Sequence, residues 1–151
     1  MDSKSSFGYD FYAYMRLLNI SGFKNDDLVY VSESTVSLFL TLWGFSIDEI
    51  VKIVDKFEND TKKKKLEDFG KIFNRLVNNI IKNPSEVRQL VVQSTALAYL
   101  DREIMEKEVN VVRLLKDGLD LKQSEFEEFV AQGAAVANAL NIFGESYKKH
   151  R

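Results

Sequence analysis

Apolar residues recur along this chain mostly at three- and four-residue steps, the spacing that lines one face of an α-helix. Phe11, Tyr14, Met15 and Leu18 share such a face, and Gly22 follows as a helix or connector end. After the polar turn Lys24-Asn25-Asp26-Asp27, the run Leu28-Val29-Tyr30-Val31 has the composition of a short strand. With no second strand in the pattern to pair with, it reads as an apolar connector packed on the core. Ser32 caps a helix through Leu42, and Gly44 breaks it. Ser46-Ile47-Asp48-Glu49 has the form of a capping box: the serine oxygen accepts from an exposed helix-start amide, and Glu49 reaches back to the Ser46 amide. The helix behind it sets Ile50, Ile53, Val54 and Phe57 on one side.

The longest helix is predicted from Lys62 to Lys82, with Leu66, Phe69, Phe73, Leu76, Val77, Ile80 and Ile81 as its stripe. Asn83 caps the next helix and Pro84 takes its first position, where a missing N–H costs nothing. That helix, Pro84 to Tyr99, is apolar on most sides and so belongs at the centre of its bundle. Val109, Val112 and Leu115, with Val111 and Leu114, mark another helix that Gly118 ends. The last helix runs from Gln123 to about Ile142 with Phe126, Phe129, Val130, Ala137 and Leu140 inward. Gly133, Ala134 and Ala137 let a neighbouring helix come close, which compensates the helix propensity that a glycine loses. The expected fold is an all-α bundle of about seven helices. It forms a single domain over residues 1–151, with 1–6 and 145–151 frayed.

Composition narrows the functional classes. A chain of 151 residues buries enough surface to need no staple. The absence of cysteine excludes disulfides and thiolate-held zinc, and fits a cytoplasmic protein. The N-terminal residues lack the basic start and unbroken apolar core of a secretory signal. No stretch approaches the ~20 apolar residues of a membrane span. A net charge of -2 argues against a general nucleic-acid binder, which carries a basic field.

Three clusters hold candidate chemistry. Asp101, Glu103, Glu106 and Glu108 fall within eight residues, with Arg102 and Lys107 among them. Carboxylates suit calcium or magnesium, and they equally suit the positive start of a helix. The segment does not fit an EF-hand loop, since Glu106 stands at the glycine position and Val112 at the closing glutamate. Lys62-Lys63-Lys64-Lys65 is either a solvated helix start or a patch for an acidic partner. Phe7, Tyr9, Phe11, Tyr12 and Tyr14 are more aromatics than one helix face buries. They either pack on the core and its edge, or leave Tyr9 and Tyr12 as a surface for a partner or a second copy. His150 is the sole histidine and lies next to the end, no serine has an evident base, and the glycines follow no phosphate-binding pattern. No catalytic residue is assigned.

Leu97 to Phe126 resembles the second half of the tellurite-resistance TerB-like family. Asp101 matches the turn aspartate, Ile104 the hydrophobic position and Glu108 the helix glutamate. Leu119 and Leu121 match the connector, which Glu125-Phe126 closes. A weaker first half places Asp26 or Asp27 at the turn and Glu33 on the helix. Arg102 and Asp120 stand where the family has glycine. The resemblance implies a helical domain with an internal pseudo-twofold repeat and a link to stress and tellurite resistance. It implies a non-enzymatic role with Asp101, Glu103, Glu108, Asp26, Asp27 and Glu33 around a divalent cation, calcium or magnesium. The alternative is a protein-interaction or homodimerisation module that uses Tyr9 and Tyr12 without metal.

Overall fold

The computed structural model describes residues 2–19, 28–30, 33–100 and 113–149, with side chains except at 19, 28–30 and 141–149. The chain is all-α. Its helices are α1 (Ser3–Arg16), α2 (Glu33–Leu42), α3 (Ile47–Lys62), α4 (Phe69–Ile80), α5 (Pro84–Leu100), α6 (113–118) and α7 (Gln123–Lys149). Among the described residues no helix is long and apolar enough to cross a membrane.

The local signals explain most of these boundaries. Asp2 caps α1 by accepting from the Ser5 amide at 2.7 Å. The capping box at α3 is complete, with Glu49 N–H to Ser46 Oγ at 3.2 Å and Ser46 N–H to Glu49 Oε1 at 2.9 Å. At α5 the Glu86 amide donates to Asn83 Oδ1 at 3.2 Å. Gly44 leaves α2 with a φ of +91°, a backbone conformation that glycine takes without penalty.

Three expectations are corrected. Leu28–Tyr30 is a strand, β2, which pairs antiparallel with β1 (Leu17–Asn19) in the register Leu17↔Tyr30, Leu18↔Val29, Asn19↔Leu28. Its partner is concealed in the sequence because Leu18 continues the helical spacing of α1. The helix expected over Lys62–Lys82 is interrupted. α3 ends at Lys62, Lys64 turns into the left-handed region at φ +54°, and α4 begins at Phe69. The four exposed lysines thus close α3 instead of opening α4, and their charge complements the negative end of the helix. Finally, α7 extends to Lys149, past its expected end at about Ile142.

The contacts divide the chain into two compact units, Met1–Ile80 and Ile81–Arg151. In the first, α1 packs against α2, α3 and α4, and every residue from Gly8 to Met15 is buried. A helix enclosed by three others has no free face, which is how the aromatic run is absorbed. Tyr12 meets Phe57 edge-on at 5.2 Å, Tyr14 lies between Phe69 and Phe73, and Phe7 and Phe11 flank Trp43. Gly8 lets this happen at close range, since a Cβ there would stand 2.6 Å from the Phe45 ring. In the second unit α5 packs along α7. A Cβ on Gly133 would stand 2.5 Å from Thr95 Cβ and 2.7 Å from the Val92 carbonyl oxygen, so the close approach expected of this glycine is present.

Candidate functional site

Two places in the first unit gather chemistry. The first is a polar cleft of about 450 Å³ lined by residues of α1, α3 and α4 with Glu67. On its floor Asp10, only 4% exposed, comes from a helix that is otherwise apolar and aromatic along its buried run. A buried carboxylate requires a partner. Arg75 supplies a two-pronged one, Nε to Oδ2 at 3.1 Å and Nη2 to Oδ1 at 2.8 Å, and its remaining Nη1 reaches Glu67 at 2.6 Å. Donating to Asp10 and Glu67 holds the Arg75 guanidinium charged more firmly than usual, and the bond Glu67 accepts from Arg75 draws its carboxyl below the ordinary carboxylate range.

Beside that fork the Tyr9 hydroxyl donates to Asp60 Oδ2 at 2.6 Å. Lys56 donates to the same oxygen at 3.1 Å and stands 3.9 Å from the centre of the Tyr9 ring. Burial and the bond to Asp60 push the Tyr9 phenol well above its ordinary value, and the same bond lowers the Asp60 carboxyl. At the end of α1, Arg16 donates to the Tyr12 hydroxyl, stacks over Tyr12 and Phe57, and reaches Glu58 at 3.5 Å. Burial raises the Tyr12 phenol despite that cation. Tyr9, Asp60, Glu67 and Arg75 are therefore each held in their neutral-pH protonation state, while acid–base catalysis calls for a group poised near the working pH.

The second place is a groove of about 290 Å³ between α2 and α3, lined by Glu33, Ser37, Ile50, Val51, Val54 and Asp55. Val51 is 51% exposed, and Ile47, one turn before it on α3, is 81% exposed. Glu33 and Asp55 are exposed and have no ion pair among the described residues. α2 carries no basic residue at all. The pattern of α3 contained the signal for this groove: Ile47, Ile50, Val51, Ile53, Val54 and Phe57 cover a wider arc than a single core contact takes up.

Of the acids assigned to a cation, Asp26, Asp27, Asp101, Glu103 and Glu108 lie outside the described residues. Glu33 opens α2, exposed at the groove. Among the described residues no group of three or more histidine, cysteine, aspartate or glutamate side chains is arranged to hold a metal ion. The partner surface expected at Tyr9 and Tyr12 is corrected: these residues are 8% and 0% exposed, because α3 covers the side of α1 that carries them. Sequence reasoning missed Asp10 and Arg75, which are 65 positions apart and carry no local pattern that joins them. No protein-family model, no curated protein and no solved structure matches the chain.

Proposed function

We infer that this chain acts by binding rather than by catalysis, as a helical module that docks a protein partner on its α2–α3 face. One observation carries this: an aliphatic strip, Ile47 and Val51, stands in solvent beside a groove floored by Ile50 and Val54. Exposed apolar residues gathered beside a recess mark interaction surfaces more often than scattered ones do. The polar cleft supports the non-catalytic half of the reading, since its strong hydrogen bonds are spent on tying α1 to α3 and α4. A photo-crosslinking residue placed at Ile47, compared with one at the exposed Asn74 on α4, tests it in cells. A product formed from position 47 and not from 74 is expected. The same products from both positions would sink the docking face.

A divalent cation at the acidic turns is a second function, carried by the match of Asp101 and Glu108 to the TerB-like pattern. Glu33, the one acid of that set within the described residues, is exposed and unpaired, as an open ligand position requires. The stress and tellurite association comes from that resemblance alone. Calcium or magnesium should then raise the melting temperature of metal-stripped protein, through a stabilisation of about 2.7 kcal/mol at 100 times the dissociation constant that keeps growing with the logarithm of ion concentration. Asp101→Asn with Glu108→Gln should abolish the rise. A response that survives in the double variant would remove these residues from the site.

A further inference from the structure

We propose that the α2–α3 groove receives an amphipathic helix of a protein partner, with an aliphatic anchor flanked by lysine or arginine. This rests on the docking face inferred above and adds the chemistry of its occupant.

The shape comes first. The groove floor is aliphatic, Ile50 and Val54, and the exposed Val51 and Ile47 continue its rim along α3 in a one-turn step. An apolar channel between two helices suits a third helix, whose anchors recur at three- and four-residue spacing. The charge decides between occupants. Glu33 stands on the α2 side and Asp55 on the α3 side, both exposed and both unpaired among the described residues. Asp48, also exposed, lies one turn before Val51 on the same side of α3. Lysines of α3 cancel them only in part: Lys56 is bound to Asp60 and the Tyr9 ring, while Lys52, one turn from both Asp48 and Asp55, pairs with neither among the described residues and offsets one of the three charges. A second copy docked two-fold on this face would bring the acids of both copies together. An anionic lipid surface is repelled for the same reason. A basic amphipathic helix satisfies both the apolar floor and the acidic margins.

Two designed helical peptides with identical leucine positions, one flanked by lysines and one by glutamates, distinguish these cases by fluorescence anisotropy with the full chain. The lysine peptide should bind saturably and at least about tenfold more tightly than the glutamate peptide, with the advantage shrinking as salt rises. Val51→Ser should weaken it. Glu33→Lys with Asp55→Lys should reverse the preference. Asp55→Lys alone, exposed and mid-helix, should narrow it, and this keeps the test open if the double variant loosens the start of α2. Equal binding of the two peptides, or a preference that ignores Asp55→Lys, overturns the proposal. So does self-association in sedimentation that Val51→Ser abolishes. If neither peptide binds while position 47 still crosslinks a protein, the basic helix falls and the docking face stands. If neither peptide binds and crosslinking is also unselective, both fall.

Discussion

A phenol that donates to a carboxylate contributes only while it keeps its proton. The Tyr9 pKa is raised in the folded state, so its contribution is full below the unfolded value of about 10 and is lost as pH climbs through the folded one. Stability should therefore fall in alkali, and Tyr9→Phe should lessen that fall while costing about 1 kcal/mol at neutral pH for the lost bond to Asp60. Asp60 and Glu67 are shifted the opposite way. Their contribution is present above about pH 4 and disappears as pH drops through their lowered values, so Asp60→Asn should flatten the acid side of a pH–melting profile. An acid side that is identical in parent and variant would show that Asp60 has no such role. None of this was legible in the sequence, because Tyr9 and Asp60 are 51 residues apart. Single-residue conformations were partly legible. Gly44 was read as a breaker and has the positive φ that breaking needs. Lys64 adopts the same region of backbone space with a side chain that resists it, at φ +54°. Lys64→Gly should relieve that strain and stabilise the fold by up to about 1 kcal/mol after the added freedom of the unfolded chain is subtracted, read as a higher melting temperature.

Elements were legible where a cap or a stripe is local, and illegible where two tertiary partners decide. The capping box of α3 and the Asn83-Pro84 start of α5 follow from neighbours in sequence, and both are present. The split of the expected Lys62–Lys82 helix did not show, since lysines continue a helix as readily as they end one. β2 was missed because its partner strand carries the periodicity of α1. The α5–α7 crossing offers the sharpest test at this scale. Alanine in place of a mid-helix glycine ordinarily stabilises by about 1 kcal/mol. At Gly133 the new methyl would meet Thr95 and the Val92 carbonyl, which belongs to the backbone and cannot turn aside. Gly133→Ala should therefore destabilise, by about 1–3 kcal/mol as for other overpacked cores, read from a denaturant midpoint. A stabilised variant would mean that the helices separate freely at this crossing.

Within the all-α chain the contacts gather into two compact units, Met1–Ile80 and Ile81–Arg151. Asn83-Pro84 reads as a helix restart within one bundle, and net charge changes little across it, although thirteen of the eighteen aromatic residues precede it. Among the described residues four long-range ties close within Met1–Ile80: Asp10 with Arg75, Tyr9 with Asp60, Arg16 with Glu58, Lys4 with Glu49. The aromatic core around α1 draws on Phe57, Phe69 and Phe73. A fragment ending at Ile80 should accordingly keep its helical circular dichroism and melt cooperatively, though at lower temperature, because a chain of this length buries a smaller share of its surface. Arg75→Met in that fragment should be severe, since it leaves the Asp10 carboxylate buried without a partner, a loss of about 3–5 kcal/mol for a well-buried pair and less where the arginine is half in solvent. Asp10→Leu with Arg75→Met removes both charges and should recover much of that loss. A fragment that is unfolded from the start would place its stability in residues 81–151. A fragment that folds, and is then broken by Arg75→Met and restored by the double change, locates the α1–α4 tie as what holds the unit that carries the proposed docking face.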